Sequence, residues 1–222
     1  MKKTLLTRIA ILWMVMVTQT AMAADYTTFL TTGRGFTEVT SIDDIIADAN
    51  YYYILAPEET HELIVGIGKY ESKPGWASEE SKALRYHSAA TDPVLDLTNF
   101  FTIEKSGSHI GLRNVVYNTD LFQTHDNAGY MYVNTFTDKT LDEWSYLTPT
   151  YQEGYWLFES GHYPVSSGNW ACGYLGPWNN VVKEGEAIAL NRRNTQGDEA
   201  GHYRLFRIAR RDLYLNTARG FT

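Results

Sequence analysis

Tryptophan stands beside turn-forming residues three times in this chain, as Trp76 in KPGWASEE, Trp170 in SSGNWACG and Trp178 in LGPWNN. None of the three lies inside an apolar run. An indole carried on a loop offers a flat apolar face, and amides or carboxylates next to it hold hydroxyl groups at set angles, which together grip a sugar ring. Trp178 with Asn179 and Asn180 is the fullest group of this kind. Asp126 and Asp198, with Asp92 and Asp96, lie in or just before segments that close on a strand, where a carboxylate is placed to bind hydroxyls. The competing reading of each ring is structural: it closes the floor of a barrel or pins a loop.

Groupings that would do covalent chemistry are missing from the sequence. It contains no GxSxG, HExxH, glycine-rich phosphate loop or CxxC. His61-Glu62, His125-Asp126-Asn127 and Ser160 with His162 read as turn or strand-edge residues. Among 26 acidic residues nothing singles out the pair a glycosidase needs, since that pair is set in space and not along the chain. No ligand spacing is diagnostic of a metal. The expectation is a protein that is not an enzyme and carries no cofactor; no metal ligand is named, and metal binding stays open. With 19 Lys and Arg against 26 Asp and Glu, a formal charge of −7, the chain is a poor partner for nucleic acid or anionic membranes. Cys172, the single cysteine, has no intrachain partner and reads as a small buried residue.

The elements that must carry these residues follow a leader. Lys2, Lys3 and Arg8, the apolar run from Ile9 to Val17, and Ala21-Met22-Ala23 describe a signal peptide over residues 1–23. Its apolar part is too short to span a bilayer. The expected product is secreted or periplasmic, monomeric and not inserted in a membrane. Sixteen Tyr, nine Phe and six Trp, with Gly, Asn and Asp between short alternating runs, favour strands. Only TSIDDIIADAN, residues 40–50, reads as a helix, capped by Thr40 or Ser41 and apolar at Ile42, Ile45 and Ile46. Residues 24–49 are therefore read as an extension made of a strand and this helix, 50–210 as the main domain, and 211–222 as a tail.

Within the main domain the strands recur. YYYIL (51–55), HIGLR (109–113) and YWLFE (155–159) look like openings; FFTIEK around Phe101, EWSYL around Trp144 and YRLFRI around Phe206 look like closings. SGS at 106–108 is a hairpin turn. Three units of about fifty residues are the signature of an internally repeated all-β domain. The alternative is one β-sandwich whose strands recur because its turns do.

Three such units resemble a β-trefoil of the ricin B type. GYLGPWNN, EGEAIALN and GHYRLFRIAR further resemble trefoil modules of secreted Bacteroidota proteins. The resemblance spans roughly residues 50 to 210 and implies an all-β fold of three repeats, with Ile54, Ile103, Leu112, Tyr146, Leu157, Leu190, Phe206 and Ile208 filling a shared centre. It departs from the lectins of that family at the Gln-x-Trp signature, whose places are taken by FFTI, EWSY and LFRI. Two functions stay open: a carbohydrate-binding, lectin-like module using Trp76, Trp170, Trp178, Asn179, Asn180, Asp126 and Asp198, or a spacer or interaction domain that meets a cell-surface protein. A last feature is the near-repetition of LTTGRGFT (30–37) as LNTARGFT (215–222). Either the two are edge strands lying together where the chain ends meet, or each opens a module and the second copy is poorly ordered.

Overall fold

The computed structural model describes residues 25–69, 82–89, 92–123, 131–133, 145–162, 173–191 and 199–219. Its strands, in chain order, are β1 (Thr37–Glu38), β2 (Tyr51–Pro57), β3 (Leu63–Lys69), β4 (Lys82–Ser88), β5 (Phe101–Ser106), β6 (His109–Asn114), β7 (Thr119–Gln123), β8 (Met131–Val133), β9 (Leu147–Gln152), β10 (Tyr155–Ser160), β11 (Tyr174–Pro177), β12 (Ile188–Asn191) and β13 (Tyr203–Ala209), followed by helix α1 (Arg210–Arg219).

After the short β1 the strands come in fours. The outer two of each four enter a barrel, and the inner two form a hairpin. Barrel strands β2, β5, β6, β9, β10 and β13 pair antiparallel in that order. β13 then returns to β2, so the ring closes and has no free edge. Hairpins β3–β4, β7–β8 and β11–β12 meet in a triangle: Ala83 pairs with Tyr132, Arg85 bridges Ala187 just before β12, and β12 lies against β8. A six-stranded barrel capped by three hairpins is a β-trefoil. The openings expected at Tyr51, His109 and Tyr155 are the first strands of its three units. The closings FFTIEK and YRLFRI contain the last strands of the first and third. The middle closing strand begins at Leu147, where EWSYL ends, and Trp144 lies outside the described residues.

Two of the three junctions between units are two-residue turns. At Gly107-Ser108 the glycine has φ +62°, and at Glu153-Gly154 both residues are left-handed, at +51° and +97°; such angles match the twist of the flanking strands. The third junction has no turn. There β13 and β2 zip together from Tyr51 opposite Ala209 to Pro57 opposite Tyr203, and the chain leaves this seam in both directions.

Alternation along the barrel strands sends Tyr53, Leu55, Phe101, Ile103, Ile110, Leu112, Leu147, Trp156, Phe158, Tyr203 and Leu205 to the central cluster. Of the residues expected there, Ile103, Leu112 and Leu190 are in it and Leu157 is buried. Ile54, Phe206 and Ile208 are not: they face the other side of β2 and β13, in a second cluster with Tyr26, Leu30, Phe36, Tyr52 and Leu213. A step of one residue reverses the face of a strand. YYYILAP gave no warning, because β2 is covered on both sides and lacks polar alternation. Tyr146 is half-buried and stacks on His109 instead, centroids 5.5 Å apart.

The cover on the outer face is the segment 25–50. It is pinned from inside the barrel by the Trp156 indole, whose Nε1 donates to the Val39 carbonyl at 2.6 Å, and by Val39 N–H donating to Leu205 O at 2.8 Å. Arg204 adds a two-pronged pair with Glu38. The helix expected at 40–50 is a single 3-10 turn, Ile42–Asp44. Ser41 caps it, its Oγ accepting from Asp43 N–H at 3.2 Å. Tertiary contacts end it there: Ile45 enters the central cluster, and the Ile46 N–H and carbonyl are both bonded to the Tyr53 hydroxyl, at 2.7 and 2.9 Å.

The two similar octapeptides take different structures. LTTGRGFT makes the 3-10 turn Thr32–Arg34, with Gly35 at φ +86°, and enters β1. Residues 215–219 of LNTARGFT belong to α1, which packs on that same turn. The two ends meet, though as helix on turn and not as paired strands.

Candidate functional site

A cleft of about 490 Å³ opens at the seam. One wall is the outer face of β5 and β6. Ladder pairing sets Thr102 opposite Arg113 and Glu104 opposite Gly111, so Glu104 and Arg113 are diagonal neighbours on this face and pair at 3.0 Å. From β7, Asp120 takes the same guanidinium two-pronged, Oδ1 on Nε at 3.0 Å and Oδ2 on Nη2 at 3.2 Å. Those hydrogen bonds raise the Arg113 pKa further and keep it charged. Asn114 is fully buried and closes the loop behind: its amide donates to the Thr98 and Phe100 carbonyls, and its Oδ1 accepts from Val116 and Tyr117 N–H. The turn this makes ends on Asn118, left-handed at φ +51° and exposed.

The facing wall comes from the two chain segments that leave the seam. Ala47, Asp48 and Ala49 form one side, and Arg210 and Tyr214 of α1 the other, with Tyr52 of β2 between them. Arg210 N–H donates to Asn50 O at 2.8 Å, which ties the start of the helix to the end of the extension. One helical turn on, Tyr214 passes beneath the Arg210 guanidinium, 5.6 Å from its ring centroid. Tyr214 is 46% exposed, while Tyr52 is 5% exposed. Burial, and then a hydrogen bond with Tyr214, push the Tyr52 pKa up. Asp48 Oδ1 is occupied by the backbone N–H and side-chain amide of Asn50, each at 2.8 Å.

Only part of the site expected from sequence is described. Trp76, Trp170, Asp126 and Asp198 lie outside the described residues, as do Cys172 and the trio 125–127. Trp178, Asn179 and Asn180 fall together on the β11–β12 connection. Trp178 is half-buried, and its backbone N–H donates to Ala187 O at 2.9 Å. The Asn179 amide donates to Glu186 Oε1 at 2.8 Å, and Asn180 is left-handed at φ +55° and exposed. The connection is held against β4, where Arg85 Nη1 donates to Gly185 O at 2.7 Å. Thus one of the two amides is engaged in shaping the loop. Asp92 and Asp96 have turn-capping roles, accepting from Val94 and Thr98 N–H, and Asp92 also pairs with Arg34. His61 lies against Tyr26 and 3.8 Å from Asp25.

Sequence reading missed Tyr52, Asn118, Arg113, Arg210 and Tyr214. The one available signal is RRDLY, whose first and fifth residues share a helix face but fall on either side of the boundary expected between main domain and tail at 210/211. Among the described residues no group of three His, Cys, Asp or Glu is placed to hold a metal ion, and no helix is long and apolar enough to cross a membrane.

No protein-family model and no characterised protein matches the sequence. Solved structures do match in shape. The designed threefold-symmetric protein ThreeFoil is 11% identical with a TM-score of 0.50, the match covering 69% of this chain and 96% of that one. A mosquitocidal holotoxin is 8% identical with a TM-score of 0.51, over 71% of this chain and 17% of the toxin. The Polyporus squamosus lectin, solved with a Neu5Ac-containing epitope, is 12% identical with a TM-score of 0.47, over 69% of this chain and 48% of the lectin. The chain thus spans about half the length of the lectin and less than a fifth of the toxin. At these identities the likeness concerns the fold, which is the β-trefoil that the strand pairing defines.

Proposed function

We propose that this β-trefoil is an exported, non-catalytic glycan-binding module whose principal site is the seam cleft. The observation that carries the reading is Tyr214: a half-exposed ring at the mouth of a cleft of about 490 Å³, next to polar groups that the fold leaves uncommitted. An aromatic face beside hydrogen-bonding side chains suits a pyranose, apolar across its ring and polar around its rim. Asn118 and Arg210 supply the rim contacts. Trp178 and Asn180 form a second, shallower contact on the β11–β12 connection. The non-catalytic reading is supported by the sequence, which contains no GxSxG, HExxH or CxxC motif. Export is supported by the leader sequence alone.

A glycan array probed with the full chain, Tyr214→Ala and Trp178→Ala tests the reading. The expected result is binding to a defined glycan class that Tyr214→Ala lowers by about tenfold or more, the order of one lost stacking contact with its hydrogen bonds. Loss in Trp178→Ala alone would move the site to the β11–β12 connection. A blank array from folded protein would refute glycan binding and favour a protein partner.

A further inference from the structure

We infer that the seam cleft selects acidic sugars and binds a ring carboxylate through Arg210; this rests on the glycan reading of the same cleft. The lining leaves one charged side chain without an ionic partner. Four charged residues line the cleft: Asp48, Glu104, Arg113 and Arg210. Glu104 Oε1 is held by Arg113, and Asp48 Oδ1 by two donors from Asn50. Arg113 uses Nε and Nη2 on Asp120 and Glu104, which leaves Nη1. Arg210 differs from all of these, because among the described residues its guanidinium makes no ion pair and rests only on the Tyr214 ring.

Asp48 Oδ2 and Glu104 Oε2 keep accepting capacity, and the donors left over are the five N–H of Arg210, the Nη1 of Arg113 and the side-chain amide of Asn118. A neutral hydroxyl can meet either kind of group, so it gains nothing special from an unpaired guanidinium. A carboxylate only accepts, and the planar guanidinium fork matches its two oxygens. Contact with Tyr214 also holds the Arg210 fork over one part of that ring, 5.6 Å from its centroid, close to the surface that a pyranose would share. The acidic group of a stacked uronic or sialic sugar, attached directly to that pyranose, then comes within reach of Arg210. With a net charge of −7 the chain does not steer acids from a distance, so selection arises at contact range.

The test compares matched probes by calorimetry on the full chain: gluco- and galacto-oligosaccharides against the corresponding glucuronides and galacturonides, which differ only at C6. Acidic probes bind about tenfold or more tightly in at least one series, the order of one charge-assisted bidentate contact, and Arg210→Gln collapses that ratio toward one. Arg211→Gln, exposed on α1 and outside the cleft lining, keeps the ratio, and thermal unfolding of each variant reports its fold. Equal or tighter binding of the neutral probes in both series overturns the acidic preference and leaves glycan binding intact. Failure of every probe to bind folded protein overturns both.

Discussion

Replacing Trp156 with phenylalanine tests whether the N-terminal segment, and the cleft wall it carries, is fixed from inside the barrel. The indole N–H donates to the Val39 carbonyl at 2.6 Å, with Trp156 fully buried and Val39 1% exposed. Phenylalanine has no donor, so that carbonyl loses its indole partner away from water, at a cost of about 1–3 kcal/mol. The smaller ring also fills less of the space between Tyr151 and Phe158, whose centroids are 5.2 and 6.1 Å away. A void of that kind adds about 1–2 kcal/mol. The sum, about 2–5 kcal/mol, corresponds to a fall in melting temperature of roughly 5–15 °C for a domain of this size. Limited proteolysis supplies the second readout. The segment 25–50 should be cut faster in Trp156→Phe, at temperatures where the barrel stays folded, and glycan affinity should fall with it because Ala47, Asp48 and Ala49 line the cleft. A melting temperature lowered by less than about 2 °C, with unchanged proteolysis, would refute the reasoning and mean that the segment is held by its apolar face alone.

Three further outcomes are expected. Tyr203→Phe removes one half of the buried hydroxyl pair with Tyr86, 2.9 Å apart, and should lower stability by about 1 kcal/mol in urea unfolding; a neutral result would mean that Ala200 O, 3.4 Å from the Tyr86 hydroxyl, suffices as its partner. Burial raises the pKa of Tyr26 to about 12 and also raises those of Tyr86 and Tyr203. Above the ordinary tyrosine value of 10.0 the unfolded chain therefore holds fewer protons than the folded one. Stability is fully present below that pH and falls as pH rises past it, and a urea midpoint unchanged from about pH 8 to about pH 11 would contradict this. Gly154→Ala places a side chain at φ +97° with open space around its Cβ, so the loss is conformational, about 1 kcal/mol or more. Asn in its place should recover part of that loss, and an equal loss in both variants would point to a different cause.

The repeat was legible because each unit begins on an aromatic-rich strand in the same structural role. Tyr51, His109 and Tyr155 all start barrel strands, and periodicity survives even where identity does not. Facing was not legible in β2, since a strand covered on both sides shows no alternation from which to choose the inner face. The helix expected over 40–50 had a good cap and good spacing, yet the Tyr53 hydroxyl takes both backbone groups of Ile46. That is a contact between residues seven apart, and no local propensity encodes it. The cleft was the least legible feature of all. Its lining is drawn from residues 47 to 214, and they become neighbours only once the barrel closes.

Comparison of the three units explains why the cleft lies at the seam. The barrel pairs Tyr53–Phe101, Ile110–Leu147 and Trp156–Tyr203 occupy equivalent places. One residue earlier on each strand stand Tyr52 with Phe100, His109 with Tyr146, and Tyr155 with His202. All three are aromatic contacts, with centroids 6.1, 5.5 and 3.6 Å apart. In the second and third units the pair joins a histidine to a tyrosine, and the first of the two remains half-exposed. At the seam the pair is Tyr52 with Phe100, and it lies under the segment 25–50, whose Phe36 stacks on Phe100. The apolar substitution and the covering segment require each other: without the cover, Tyr52, Ile54, Phe206 and Ile208 would form an exposed apolar patch, which a monomeric protein seldom tolerates. Where two turns would have been followed by a third, the chain instead continues in both directions, and those continuations supply one wall of the cleft. The same residues that stabilise the open junction therefore build the cleft. On the proposed glycan reading, a substitution that loosens the segment 25–50 should weaken fold and binding together, whereas one at Arg210, exposed on α1, should separate them.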